Sequence, residues 1–184
     1  MTKATLLQID LQNLFFEARN RGQKIDLERI WTHFSERESE FLTDALVYMI
    51  RSEDFDSAKF EVKLKTVGYN LKIKNSVKII GDSCPKCGAN RTFYRGNHDV
   101  GIAVDCLDKI DSFQKWILMS GDGDFVDLCK YLKSKHKQIE IWSFKECYNP
   151  QLEPYADKMY FIEEDFFLKR PRITVFGFRN QPAD

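Results

Sequence analysis

The chain carries no net charge: its 28 Lys and Arg residues are matched by 28 Asp and Glu. A uniformly basic coat for nucleic acid is therefore excluded, whereas a local basic patch beside an acidic site is not. Long apolar runs are also missing. Residues 45–50 are among the longest, far below the ~18 needed to cross a bilayer, so no membrane partner is expected. There is no internal repeat and no low-complexity tract. The first residues lead straight into a strand-like stretch that Asp10 interrupts, which is unlike a secretory signal. Five cysteines cannot all pair within one chain. Reduced thiols in a cytoplasm are the expected state.

What is present is globular. At 184 residues the chain makes about one domain of ~150. Hydrophobic residues are 43% and charged residues 30%, enough apolar material for a sizeable core. Short apolar runs at 5–9, 41–50, 77–80, 116–119, 139–142 and 159–162 read as strands. Helical spacing fills the gaps. Asp26 reads as the N-cap of a helix bearing Leu27, Ile30, Trp31 and Phe34, and Asp56 as the cap of one bearing Phe60, Leu64 and Val67. Asp99 opens a helix expected to bury Val100, Ala103, Val104 and Leu107. Phe125, Leu128 and Leu132 continue another, and 163–168 reads as a short helix. This alternation predicts an α/β sandwich with a mostly parallel sheet. One domain is expected over 1–168, with a turn-rich insert, a loop or small hairpin, at 81–96. A basic tail follows at 169–184.

Carboxylates stand at three places where such a sheet exposes its strand ends: Asp10 after the first strand, Asp99 at a helix start, and Asp122 with Asp124 after a later strand. Ligands bind beyond those ends in open α/β sheets. Like charges ~4 Å apart cost about 4 kcal/mol per pair at an effective dielectric near 20. A divalent cation relieves that cost, and clustered oxygen ligands suit Mg²⁺ or Mn²⁺. Gly121 and Gly123 are expected to permit a tight, left-handed-tolerant turn that lets both acids face one cavity. The competing reading is that Asp122 or Asp124 only caps the next helix. Asn13, a turn beyond Asp10, is placed to orient a water or phosphate. Asp105 lies six residues after Asp99, about 120° round a helix, so it is expected to support the site from behind or to form an ion pair.

Leu7-Gln8-Ile9-Asp10-Leu11-Gln12-Asn13-Leu14, Asp99-Val100-Gly101-Ile102-Ala103-Val104-Asp105 and Leu118-Met119-Ser120-Gly121-Asp122-Gly123-Asp124-Phe125 resemble, in this order, the three motifs of NYN domains. These are a branch of the PIN-like nuclease superfamily, and the bacterial LabA-like group is the most similar. The resemblance spans about residues 4–162. It implies a Rossmann-like three-layer α/β/α sandwich with a central, mostly parallel sheet. It also implies a Mg²⁺- or Mn²⁺-dependent site that cuts RNA, or sometimes single-stranded DNA. Carried over by motif, Asp10, Asp99, Asp122 and Asp124 would be the metal-binding acids, with Asn13 as accessory. Two departures stand out. Leu11 replaces a frequent Gly, which would tighten the turn after the first strand. The insert carries Cys84-Pro85-Lys86-Cys87-Gly88, which lies outside the family core. PIN-like domains often pair, so a homodimer is one expected state.

Cys84 and Cys87 have the spacing of half a structural zinc site, which His98 or a second chain could complete, and the competing reading is a reduced loop with no metal. Cys106 and Cys129 fall in helical patterns and read as small buried hydrophobes. Nucleic acid is expected near Arg91, Phe93, Tyr94 and Arg95, just ahead of Asp99, with His98 at a phosphate. The tail offers Lys169, Arg170, Arg172, Phe176, Phe178 and Arg179, and its 173–178 stretch could pack as an edge strand or meet a second subunit. Lys59, Lys63 and Lys65, with Lys72, Lys74 and Lys78, read as a solvated face. The leading expectation is a metal-dependent ribonuclease; the alternative is a weakly active or non-catalytic RNA-binding module. A phosphoenzyme hydrolase would want an acid where Gln12 stands, and a receiver domain would want acids before Asp10, where 6–9 has none.

Overall fold

Strand β1 (Thr5–Asp10) is buried along its whole length, which is why Leu6, Leu7 and Ile9 face both sides of it without a polar–apolar alternation. The computed structural model describes residues 4–38, 41–51, 57–83, 87 and 90–168. β1 continues directly into α1 (Leu11–Asn20), followed by α2 (Leu27–Glu38), β2 (Leu42–Arg51), α3 (Ala58–Val67) and β3 (Asn70–Asn75). A hairpin of β4 (Val77–Ser83) and β5 (Asn90–Arg95) leads to α4 (Asp99–Asp108). Then come β6 (Lys115–Met119), α5 (Val126–Ser134), β7 (Gln138–Ser143) and β8 (Lys158–Phe161), with short 3-10 turns between them.

Six of these strands form an all-parallel sheet in the order β3-β2-β1-β6-β7-β8. Helices cover both faces. Leu7 and Ile9 point to one side, where Leu14, Ile30, Phe34 and Leu64 from α1, α2 and α3 pack. Leu6 points to the other, against Ile102 and Cys106 of α4 and Leu128, Cys129 and Leu132 of α5. This is the three-layer α/β/α arrangement expected, with β4 and β5 as a separate antiparallel pair. Among the described residues, no helix is long and apolar enough to cross a membrane.

Two elements are additions to the sequence reading. In α1, Leu11, Leu14 and Ala18 are buried at helical spacing, but Phe15 and Phe16 sit on the solvent side and blur the period. β3 is an edge strand with no fully buried residue. Two expectations are corrected. Leu11 follows no turn: it is the first residue of α1, buried, with Asp10 as the cap. The face of α4 is also different. Ile102 and Cys106 are buried, while Val100, Val104 and Leu107 are exposed, because the sheet meets the helix on its other side. Asp26 caps α2, accepting from the Arg29 N–H at 3.2 Å. Asp56 and the 169–184 tail lie outside the described residues.

A directional chain of hydrogen bonds ties α4 to the sheet. Trp116 Nε1 donates to Gln8 Oε1 at 2.6 Å. Gln8 Nε2 donates to the Tyr48 hydroxyl at 2.5 Å and to the Ile102 carbonyl at 3.1 Å. Tyr48 donates to Asp105 at 2.9 Å, and Lys72 pairs with Asp105 at 3.1 Å. Burial and the Asp105 carboxylate together push the Tyr48 hydroxyl far above its usual value, so it stays protonated and donating. Tyr48→Phe removes one link, leaving Gln8 short of an acceptor. We expect a loss of about 1–3 kcal/mol, read as a lower urea midpoint at unchanged m-value.

Candidate active site

The sheet order reverses at β1. The chain runs outward from β1 through β2 to β3, then returns to place β6 on the other side of β1. A crevice opens at such a switch point, beyond the carboxyl ends of the strands. Asp10 ends β1, and Ser120 follows β6 directly across from it, since Ile9 pairs with Met119.

The Asp10 carboxylate is fixed at both oxygens. Oδ1 accepts the Asn13 N–H at 3.1 Å, capping α1, and Oδ2 accepts the Ser120 hydroxyl at 3.2 Å. Ser120 Oγ in turn accepts the Asp122 N–H at 3.3 Å. Asp122 caps the 3-10 turn Gly123–Phe125, its Oδ1 accepting from the Asp124 N–H at 3.0 Å. Capping and clustering therefore coexist. Carboxylate oxygens of Asp99, Asp122 and Asp124 lie within 4.8 Å of one another. Asp99 stands in the first turn of α4, and Asn97 Nδ2 donates to it at 2.5 Å.

Of the four acids expected to meet, three form the open cluster, and Asp10 is the buried member beside it. Burial raises the Asp10 pKa to about 6, aided by the charges of Asp99 and Asp122 and opposed by the Asn13 N–H and the Ser120 hydroxyl. Burial also raises Asp99, as do Asp122 and Asp124. An all-carboxylate donor set under mutual repulsion fits a hard divalent cation and not a soft one.

Gly121 and Gly123 serve a different purpose from the left-handed turn expected of them; among the described glycines only Gly22 and Gly68 have positive φ. Their requirement is space. A Cβ on Gly121 would sit 2.9 Å from Tyr148 Cα and collide with Ser143 Oγ, and one on Gly123 would collide with the Asn149 amide. The 144–149 loop lies directly on these glycines, and the Asn149 N–H donates to the Gly121 carbonyl at 2.9 Å.

The other expected residues are placed as follows. Asn13 lies in α1, and its Oδ1 accepts the Gly121 N–H at 3.3 Å, stapling the helix to the 120–124 turn. His98, expected at a phosphate, is 5% exposed, and its Nε2 contacts the Met49 carbonyl at 2.9 Å. That withdraws its ring from direct phosphate contact, and burial lowers its pKa. Asp105 turns away from Asp99 to Lys72 and Tyr48. Arg91 and Arg95 lie on β5, with side chains outside the described set. Cys84 is likewise outside it, and Cys87 is exposed. Cys106 and Cys129 are buried, and burial raises both thiols, Cys129 to about 12.

Two participants were missed. Ser120 is fully buried and links Asp10 to Asp122; its place in the third motif was the available signal. Lys74 of β3 donates to the Asn97 carbonyl at 3.4 Å, and its charge opposes the upward shift of Asp99. The edge strand that carries it was not recognisable.

The NYN domain family matches residues 4–163, and the chain belongs to that family. It is 27% identical over 135 residues to the Low amplitude and bright protein LabA of Synechococcus elongatus, which covers 73% of this chain and 70% of that protein. A protein of unknown function from Vibrio parahaemolyticus has the same fold in its crystal structure. Its TM-score is 0.73 at 23% identity, over 91% of this chain and 97% of that one. Membership of NYN, a PIN-like nuclease family, and the similarity to LabA support a nuclease-type or RNA-related function.

Two predictions follow from this geometry. Gly121→Ala meets backbone and is expected to cost about 1–3 kcal/mol, more than Gly123→Ala, which meets only a side-chain amide; urea unfolding compares them. Asp10→Asn keeps an N-cap side chain but removes a carboxylate whose pKa is raised on folding. A raised acid destabilises the folded state when ionised and ceases to do so once protonated. In EDTA near neutral pH the variant should therefore exceed wild type by about 2–3 kcal/mol. The gap should narrow as pH falls below about 6 and be gone below the ordinary carboxylate value of 3.8.

Proposed function

We propose that this chain is a metal-dependent ribonuclease that hydrolyses phosphodiester bonds of single-stranded or structured RNA. The observation that supports this most is the cluster of Asp99, Asp122 and Asp124 within 4.8 Å, beside the buried Asp10 at the switch point. These four acids would hold Mg²⁺ or Mn²⁺. A divalent cation bound there supplies Lewis acidity, lowering the pKa of a water and offsetting charge on the phosphate.

The chain's own groups prepare the crevice. Asn13 and Ser120 hold both oxygens of Asp10, so its charge stays fixed towards the site. The N-termini of α1 and α4 both begin here, and their N–H dipoles favour an approaching phosphate. Lys74, at the Asn97 carbonyl, stands where a second phosphate would be met. The Asn13 amide, anchored through its oxygen to Gly121, is left to orient a water or phosphate through its nitrogen.

The test is cleavage of a labelled single-stranded RNA with Mn²⁺, Mg²⁺ or EDTA. Wild type should cut only with metal, and Asp99→Asn and Asp122→Asn should each lose roughly 100-fold or more in rate. Asp105→Asn should cost less than either. Cutting by Asp122→Asn at the wild-type rate would overturn the assignment, and RNA binding without cutting would favour a non-catalytic module.

A further inference from the structure

Two grooves open on the described surface, and they differ in character. One, of about 600 Å³, lies past β7 and β8, and its walls carry Arg21 and Lys145 as well as Glu146, Glu163, Glu164 and Asp165. The other, of about 900 Å³, lies between α1, α3 and the end of β2, and no carboxylate lines it among the described residues. One face of α1 forms its wall, with Phe15 and Phe16 each three or four residues from Gln12 and from Arg19. Phe16 is 63% exposed and Phe15 38%, on a helix flank where polar residues would be ordinary. Phe60 of α3 approaches Phe15, with ring centroids 6.1 Å apart. Arg19 and Lys24 stand at the edge.

This groove opens off the acidic centre. Its wall begins at Leu11, the residue after Asp10. Its floor is Met49 and Ile50, immediately past Tyr48, which pairs with Asp10 across β1 and β2. His98, one residue before Asp99, holds the Met49 carbonyl.

We infer that the groove is a nucleobase subsite, receiving an unpaired base of single-stranded RNA beside the scissile phosphate. The inference rests on the nuclease reading and adds how the strand is held. Exposed phenyl faces stack with any base. Arg19 and Lys24 suit the flanking phosphates. A base inside a duplex offers no free face and is not accepted.

The test is the affinity of a short fluorescein-labelled single-stranded RNA in EDTA, with the matching duplex as comparison. Phe16→Ala should weaken single-strand binding by roughly 10- to 100-fold and leave duplex binding unchanged. Phe16→Trp should bind at least as tightly as wild type. Val104→Ser, at an exposed apolar position on α4, should change nothing. If Phe16→Ala binds like wild type while wild type binds and cuts, the subsite is wrong and the nuclease reading stands. Phe16-dependent binding with no metal-dependent cutting supports the subsite and removes the nuclease reading. Wild type that neither binds nor cuts removes both. If Phe16→Ala converts a dimer to a monomer at unchanged RNA affinity, a second copy fills the groove and the subsite is wrong.

Discussion

Repulsion among carboxylates governs this molecule. Left to themselves, Asp10, Asp99, Asp122 and Asp124 would separate, since each close pair is unfavourable by several kcal/mol in a partly desolvated crevice. The fold holds them by making each acid a structural part. Asp10 caps a helix, Asp122 caps a turn, and Asp99 occupies the first turn of α4. The favourable interactions of these caps and helix dipoles offset part of the repulsion. The pKa of Asp10 and of Asp99 is raised first by burial and then by the neighbouring carboxylates.

The surrounding architecture can be read as support for that arrangement. The Trp116–Gln8–Tyr48–Asp105 chain sets α4 against β1 and β2, and so sets where Asp99 arrives. Ser120 joins the two strand ends, and Asn13 joins α1 to the turn after β6. The glycines at 121 and 123 admit the 144–149 loop against the back of the same turn. Rigidity here comes from directional bonds between elements distant in the chain.

Much of this was legible in the residues. Buried strands of a parallel sheet are rich in apolar residues, so β6, and β1 and β7 with one buried polar residue inside each, were plain, and a carboxylate ending such a run marks a switch-point crevice. What was illegible had physical reasons. α1 presents Phe15 and Phe16 to solvent, so its apolar residues cover more than one face. β3 is half-covered at an edge, and its alternating Lys72 and Lys74 look like surface charge. The face of α4 was misjudged because the valines there are exposed, against their usual ranking. His98 and the glycines depended on contacts with Met49, Tyr148 and Asn149, which no local pattern encodes.

The hydrogen bond between Ser120 and Asp10 spans 110 residues of sequence. During synthesis β1 and β2 can pair early, but the acids after β6 emerge far later. At roughly 5–20 residues per second the interval is about 5–20 s. Throughout it, Asp10 has neither its serine nor its charged neighbours, and no cluster exists to gather a cation. The protein's acidic centre is thus a late product of its own folding, assembled only after most of the chain has left the ribosome that made it.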